Sequence, residues 1–490
     1  MDEKEIQEKT FKGLRWSIIL SSMSFPAGYL TMIILGRLSP EALGTYGLIG
    51  LLTNIILGLV YFGGNAVIIK FVPMLPKNKF FSFLVTYTGL VSLIAGIFCL
   101  VAWFSPEYIG FFQKKITFDL YYKYLVLFTF ILILQSILLA TLRAFLNIKA
   151  SIILSKIITF GTFGINLFLF FYYRTFFLNN FSWLLWFVYL GLLSASGILG
   201  LYFLLNQMEK FNFRNISLFL PDGFWKFAVP FQLASAITIF QTNFDQMFVI
   251  LLFGLKDYGK YLAVLNTVIV IQLISNIFLE VMFPSFSNMV ALNNTALLRK
   301  TYYATAKYFS LFFGILSLFF IFRGDLLLSL FGKGYLHMGN IMVIIAASVG
   351  LTSLSGINSM VFSATGLTKY TLVLSVIELL ILFLFGLILY KKFGMVGIAM
   401  AKGISLVCRS GISIYITSKY LNLGLNIPKA YWVKVLLVIG GATLTLIYPP
   451  EGQLISSLLM FIFMAGLLFF GGIEEEDLRL AKRIVYGKPT

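Results

Sequence analysis

The sequence has little of what a soluble enzyme needs. Charged residues make up only 11% of the 490 positions, and there are two cysteines and one histidine. Both cysteines, Cys99 and Cys408, lie in apolar runs, with no disulfide framework and no metal-binding spacing. Because His337 is the only histidine, zinc chemistry and a serine–histidine–aspartate triad are poorly supported.

Long polar segments are also absent, whereas apolar residues make up 59% of the chain. A membrane-spanning helix needs about 20 mostly apolar residues. Fourteen runs meet this requirement, so we predict an all-α polytopic membrane protein with about 14 transmembrane helices. The predicted spans are 14–36, 43–69, 81–104, 120–145, 150–173, 183–206, 224–253, 258–283, 304–322, 339–364, 370–390, 395–420, 431–448 and 453–472.

The net charge of +18 would suggest a nucleic-acid partner in a soluble protein. In a membrane protein, Lys and Arg collect in cytoplasmic loops and contact anionic lipid headgroups, and we expect no nucleic-acid partner. The excess of Lys and Arg lies in the segments on the same side of the membrane as the N-terminus. We therefore predict a multi-pass protein of the cell (inner or plasma) membrane with both termini in the cytoplasm.

Two short patterns recur at nearly the same offset along the chain. A polar turn followed by Gly-x-Tyr occurs at 44–46 and at 259–261, and a turn ending in Lys occurs at 147–149 and at 367–369. Internal repeats of this kind are typical of transporters, in which the substrate path lies between the halves.

The repeats and a polar loop near 207–223 predict three parts. Residues 1–220 form an N-lobe with helices one to six, and residues 221–425 form a C-lobe with helices seven to twelve. Residues 426–490 form helices thirteen and fourteen and a cytoplasmic tail.

The segments 35–46, 224–230, 241–250, 259–261 and 393–403 resemble the polysaccharide (Wzx-type) flippases. This family belongs to the multidrug/oligosaccharidyl-lipid/polysaccharide (MOP) exporter superfamily, with the lipid II flippases and the multidrug and toxin extruders (MATE). The resemblance implies two six-helix lobes that work by alternating access.

The implied activity is transfer of a polyprenyl-pyrophosphate-linked oligosaccharide from the cytoplasmic to the outer leaflet, as in polysaccharide biosynthesis for a cell envelope. The implied partners are this glycolipid, membrane lipids, and a glycan polymerase or glycosyltransferases. No cofactor is implied other than Na⁺ or H⁺ as a coupling ion.

Two carboxylates lie well inside predicted spans, Asp245 in the seventh and Glu378 in the eleventh. A carboxylate in hydrocarbon is neutralised or paired. One interpretation is a buried ion pair with Arg409 or Lys402. The other follows from the resemblance to sodium-coupled lipid II flippases, which implies a coupling site, with Na⁺ held at Asp245 and Glu378. The polar residues that accompany this site are Asn243 and Ser405.

Several predicted spans also carry basic residues, and a pyrophosphate cargo requires a cationic cavity. Lys156 is the best candidate to bind the pyrophosphate, and Arg143 is the next. Arg409 is the third, provided that Glu378 does not neutralise it, and Lys402 lies on the same helical face as Arg409.

Two prolines lie inside predicted spans, Pro26 in the first and Pro230 in the seventh. Proline removes a backbone hydrogen bond and permits a kink. Each is interpreted either as a static bend or as a hinge for alternating access.

Two other functions remain as alternatives. A drug or cation antiporter of the same fold would favour acidic cavity residues, so the basic set argues against it. A membrane-embedded glycan polymerase or ligase would need a large outer loop with Arg and His, so we expect no enzymatic activity.

Overall fold

The computed structural model describes residues 3–61, 63–104, 122–145, 147–207, 217–292, 294–421, 428–449 and 452–471. These residues form α-helices joined by short turns and two 3₁₀ segments, and no strand occurs in these ranges. The helices are α1 (Glu3–Leu38), α2 (Pro40–Val60), α3 (Gly64–Phe71), α4 (Lys77–Phe104), α5 (Tyr122–Ala144), α6 (Ile148–Tyr172), α7 (Arg174–Gln207), α8 (Phe224–Phe253), α9 (Leu255–Ala291), α10 (Thr295–Ser329), α11 (Gly339–Leu351), α12 (Ser353–Ala364), α13 (Thr368–Tyr420), α14 (Lys429–Ile447) and α15 (Gln453–Phe470).

Within the described ranges, 11 helical segments are long and apolar enough to cross a membrane. One of them, Lys369–Tyr420, has 52 residues and is long enough for two spans. The predicted all-α polytopic membrane fold is therefore confirmed. The helices α1 and α9, of 36 and 37 residues, lie where the first and eighth spans are predicted.

The backbone of α13 turns sharply at Gly394, where φ is 59° and ψ is −134°. A residue with a side chain rarely adopts this conformation, which explains the glycine at this position. The turn falls between the predicted eleventh and twelfth spans, so the single assigned helix contains both.

Two spans that the sequence predicts as continuous are broken. The second span divides between α2 and α3, where Gly63 and Gly64 adopt φ values of 82° and 56°. The tenth span divides at Thr352, between α11 and α12. Neither break contains proline, so the apolar pattern gave no signal for them.

Pro26 and Pro230 lie inside α1 and α8. Non-helical backbone angles within the described helices occur at Asn180, Arg323 and Gly394. The hinge role of the two prolines stays a prediction.

The chain divides into two compact units. Unit 1 comprises Met1–Asn243 and Ile250–Lys260, and unit 2 comprises Phe244–Val249 and Tyr261–Thr490. The predicted lobe boundaries at 220 and 425 stay predictions.

In unit 1, α6 packs against α1 and α7, and α5 packs against α4 and α7. Its core contains the buried aromatic side chains of Phe83, Tyr87 and Phe224. In unit 2, α10 packs against α11, α14 and α15. Each unit therefore buries its own apolar helix faces.

The two Gly-x-Tyr turns of the repeat pack against each other inside unit 1. A Cβ atom at Gly44 would collide with the carbonyl oxygen of Leu255, and one at Gly259 would collide with that of Pro40. Lys256 Nζ also lies 3.7 Å from a carboxylate oxygen of Glu41. The glycines of this repeated pattern are thus required by a close backbone approach.

Candidate functional site

Four charged side chains of unit 2 form one site, which we call the four-charge cluster: Asp245, Glu378, Lys402 and Arg409. Asp245 lies on α8, and the other three lie on α13. Arg409 Nη1 donates a hydrogen bond to Glu378 Oε2 at 2.7 Å. Thirty-one residues separate these two, about 46 Å along a straight helix. The turn at Gly394 is what allows them to meet.

Lys402 lies between the two carboxylates of the cluster. Its Nζ is 3.5 Å from Asp245 Oδ1 and 3.7 Å from Glu378 Oε1. Both separations are longer than the roughly 2.7–2.9 Å of a charge-assisted hydrogen bond. The ammonium therefore acts as a counter-ion shared by two carboxylates.

The carboxylates and the cations of the cluster differ in exposure. The side chains of Asp245 and Glu378 are 1% and 0% exposed, whereas those of Lys402 and Arg409 are 11% and 18% exposed. The negative charges lie deeper than the positive ones. Two negative and two positive charges leave the cluster electrically balanced.

Tyr261, which the resemblance includes only as part of a motif, belongs to this site. Its hydroxyl donates a hydrogen bond to Asp245 Oδ2 at 2.9 Å, and its side chain is completely buried. Asp245 thus has a phenol on one oxygen and an ammonium near the other. A phenol that donates stabilises the ionised carboxylate.

The other two residues predicted at the coupling site bond within their own helices. Ser405 is buried and its hydroxyl donates to the carbonyl oxygen of Lys402 at 2.8 Å. The amide of Asn243 donates to the carbonyl oxygen of Ile239 at 2.8 Å. Ser405 shares the helical face of Lys402 and Arg409.

Arg143 and Lys156, the cations predicted for cargo binding in the first half, lie on α5 and α6 of unit 1. Arg143 Nε donates to Ser151 Oγ at 2.8 Å, and Lys156 is half-buried. Within the described part of the chain, neither forms a salt bridge with a carboxylate.

Arg409 and Lys402, which the sequence also assigns to this cationic set, have a different environment. Glu378 pairs directly with Arg409, and Lys402 is shared by Asp245 and Glu378. Because Glu378 neutralises Arg409, the condition for assigning Arg409 to cargo binding is not met. Arg143 and Lys156 are the basic residues of this set whose charge no described carboxylate balances.

Side chains from other helices stabilise both broken spans. The Gln232 amide donates to the carbonyl oxygen of Gly58 and accepts from the backbone N–H of Gly63 at 3.0 Å. Lys434 is completely buried and donates to Ser353 Oγ at 2.6 Å, next to the break at Thr352. Sequence reasoning missed both residues, although each is a polar side chain inside an apolar run.

Unit 1 also contains a cavity of about 660 Å³ between α4, α5 and α7. Its lining is mostly apolar, with Gly89, Gly197 and Gln135 among its residues. Arg143 and Lys156 do not line it. The cavity suits hydrocarbon and not a phosphate group.

No protein-family model and no curated protein matches the sequence. Among solved structures, the inward closed conformation of the lipid II flippase MurJ is similar, with a TM-score of 0.72 and 14% identity over 94% of this chain and 99% of that chain. An inward-facing MATE multidrug transporter of the MOP superfamily is similar with a TM-score of 0.63 and 14% identity, over 83% of this chain and 98% of that chain.

A MOP superfamily transporter from Pyrococcus furiosus, described by a reversed polarity of its binding pocket, is also similar. Its TM-score is 0.58 with 13% identity, over 86% of this chain and 96% of that chain. The predicted MATE and lipid II flippase-like fold is confirmed by these similarities. At such low identity they concern the fold alone.

Proposed function

We propose that this protein is a MOP-superfamily transporter that moves a polyprenyl-pyrophosphate-linked oligosaccharide from the cytoplasmic to the outer leaflet by alternating access. One observation carries the choice of an anionic cargo. Lys156 lies inside α6 and Arg143 lies in the last turn of α5, and neither has a carboxylate partner among the described residues. The MurJ-like fold supports a flippase.

The physical argument is the cost of charge in a membrane. A Lys at the centre of a membrane helix costs about 2.5–3.5 kcal/mol on insertion scales, whereas an Arg near a helix end reaches the interface at lower cost. A half-buried lysine in such a helix that pairs with no described carboxylate requires a compensating anion. A pyrophosphate supplies it, because Arg binds phosphate oxygens through a bidentate fork and Lys adds a point charge.

The rival function is a drug or cation antiporter, which the MATE-like fold alone would also allow. A cationic drug would be repelled by Arg143 and Lys156. The acidic residues of unit 2, Asp245 and Glu378, are already paired with cations. The charge distribution therefore favours an anionic cargo. Within the part of the chain that the structure describes, no feature favours a polymerase or ligase.

The remaining predictions from the sequence complete the proposal. The protein works in the cell (inner or plasma) membrane with both termini in the cytoplasm. It acts next to glycosyltransferases or a glycan polymerase that make and use the cargo. The predicted coupling to Na⁺ or H⁺ at Asp245 and Glu378 is a separate question from the cargo, because Lys402 already places a positive charge between the two carboxylates.

The test is transbilayer movement in proteoliposomes that contain the purified protein. A pyrophosphate-linked oligosaccharide and a cationic dye are assayed side by side. We expect the glycolipid to move and the dye to stay. Movement of the dye without the glycolipid would contradict the proposal and favour the antiporter.

A matched pair of variants tests the role of the cations. Lys156→Gln removes the half-buried charge on α6, and we expect the initial rate of glycolipid movement to fall at least tenfold. Lys149→Gln, at an exposed position on the same helix, is the control and should keep the wild-type rate. Equal rates for both variants would remove Lys156 from the cargo site.

A further inference from the structure

Asp245 and Glu378 form a pair of buried acceptors that need a cation. Asp245 Oδ1 and Glu378 Oε1 are both buried and accept no hydrogen bond from the described residues. These are the two oxygens nearest to Lys402 Nζ. Burial of two ionised carboxylates without a nearby positive charge would be strongly unfavourable.

The other oxygens of the two carboxylates already have donors. Tyr261 donates to Asp245 Oδ2, and Arg409 donates to Glu378 Oε2. Each carboxylate is thereby held so that its second oxygen faces the ammonium. The arrangement resembles a coordination site in which a side chain supplies the ion.

We propose that the Lys402 ammonium is a built-in cation that takes the place of a free metal ion at this site, so that the native protein binds no Na⁺ there. The residues present do not fit Na⁺ and a protonated lysine together. A second monovalent cation would bring this balanced cluster to a net positive charge, with Arg409 nearby. This inference concerns a cation and is independent of the identity of the cargo.

The proposal predicts that loss of Lys402 creates a sodium site. Without the ammonium, two carboxylates face one guanidinium and the cluster carries one unbalanced negative charge. A small free cation then restores the balance that the side chain provided. Binding to the folded state alone raises its stability by linkage.

The experiment compares thermal unfolding of the purified full-length protein in sodium chloride and in choline chloride at equal concentration. We expect the wild-type Tm to be the same in both salts. Lys402→Ala and Lys402→Met should show a saturable rise in Tm with sodium. Binding of radioactive sodium to the same samples should be saturable for these variants and at background for the wild type.

Two further variants serve as controls. Lys402→Arg keeps a tethered positive charge and should give no sodium response. The double variant Lys402→Ala/Asp245→Asn removes the unbalanced charge and should also lose the response. A variant that folds only when sodium is present supports the proposal as well.

Three results would overturn the proposal. The first is saturable sodium binding to the wild type. The second is a folded Lys402→Ala variant with no sodium response. The third is a Lys402→Ala variant that is unfolded to the same extent in sodium chloride and in choline chloride. These readouts use no cargo, so they are separate from failure of the transport assay.

Discussion

At the residue scale, the ion pair between Glu378 and Arg409 anchors the four-charge cluster. Glu378 is completely buried, and the 2.7 Å bond joins the two parts of α13. Removal of one partner leaves an uncompensated buried charge, which costs about 3–5 kcal/mol. Loss of either partner is therefore costly, even though the intact pair adds little net stability.

A double-mutant cycle measures this dependence. We expect Glu378→Gln and Arg409→Gln each to lower the free energy of unfolding by about 3–5 kcal/mol. The double variant should lose clearly less than the sum of the two, because neither charge is then left alone. The measurement is reversible unfolding in detergent or bicelles, and strictly additive losses would show that the two residues act independently.

The charged positions of this site and the buried ion pairs with Arg409 or Lys402 could be predicted from the sequence as one of two interpretations. The choice between carboxylate and cargo as the partner of these cations could not. Asp245 and Glu378 stand out because a carboxylate in an apolar run is energetically costly and is usually paired or functional. The spacing of Lys402 and Arg409 showed that they share a helical face. Whether these cations met the cargo or the carboxylates depended on how the chain turns at Gly394, which no spacing rule specifies.

At the element scale, the two broken spans show polar side chains replacing lost helix hydrogen bonds. The end of α2 exposes carbonyl groups that no helical N–H reaches. Gln232 on α8 satisfies Gly58 and Gly63 with one amide. Lys434 on α14 donates to the carbonyl oxygen of Leu351 at 3.5 Å, next to the break at Thr352. In hydrocarbon such groups have no water to bond with.

Gln232→Leu tests the first of these contacts. The variant replaces the amide with an apolar side chain of similar size. It leaves a buried N–H and a buried C=O without a partner, each costing about 1–3 kcal/mol. We expect a lower free energy of unfolding and faster amide exchange at Gly63 and Gly64. The control Thr238→Val, at a hydroxyl that bonds only within α8, should change both quantities little. Equal effects of the two substitutions would show that Gln232 does not stabilise the break.

The positions of most helices could be predicted from apolar runs, but the breaks could not. The run 43–69 is mostly apolar and lacks proline, so its pattern is that of one helix. The break has glycines at positions 63 and 64. It also has a hydrogen bond from the Gly63 N–H to Gln232, which lies 169 positions further along the chain. Long-range contacts of this kind leave no local periodicity.

At the scale of the whole molecule, the internal repeat has a physical basis at its strongest motif. The glycines at 44 and 259 were noted only as an echo in the sequence. In the structure, each glycine lies against a backbone carbonyl of the other turn. The repeat was detectable because this contact restricts both copies to the same residue type.

The electrical balance of the four-charge cluster has a consequence for the energy source of transport. Moving one elementary charge across 100 mV is worth about 2.3 kcal/mol. A balanced group that takes up no ion exchanges none of this energy with the membrane potential. Voltage can then act through the phosphates of the proposed cargo and through the cations proposed to bind them.

We therefore expect an imposed potential, negative on the cytoplasmic side, to accelerate outward movement of the anionic cargo to the same extent in sodium and in choline. The measurement is the rate of glycolipid movement in proteoliposomes as a potassium diffusion potential is varied. A voltage response that appears only with sodium would contradict this expectation. On this view the built-in ammonium makes movement of the proposed cargo independent of a sodium gradient, and the resting potential contributes to its driving force.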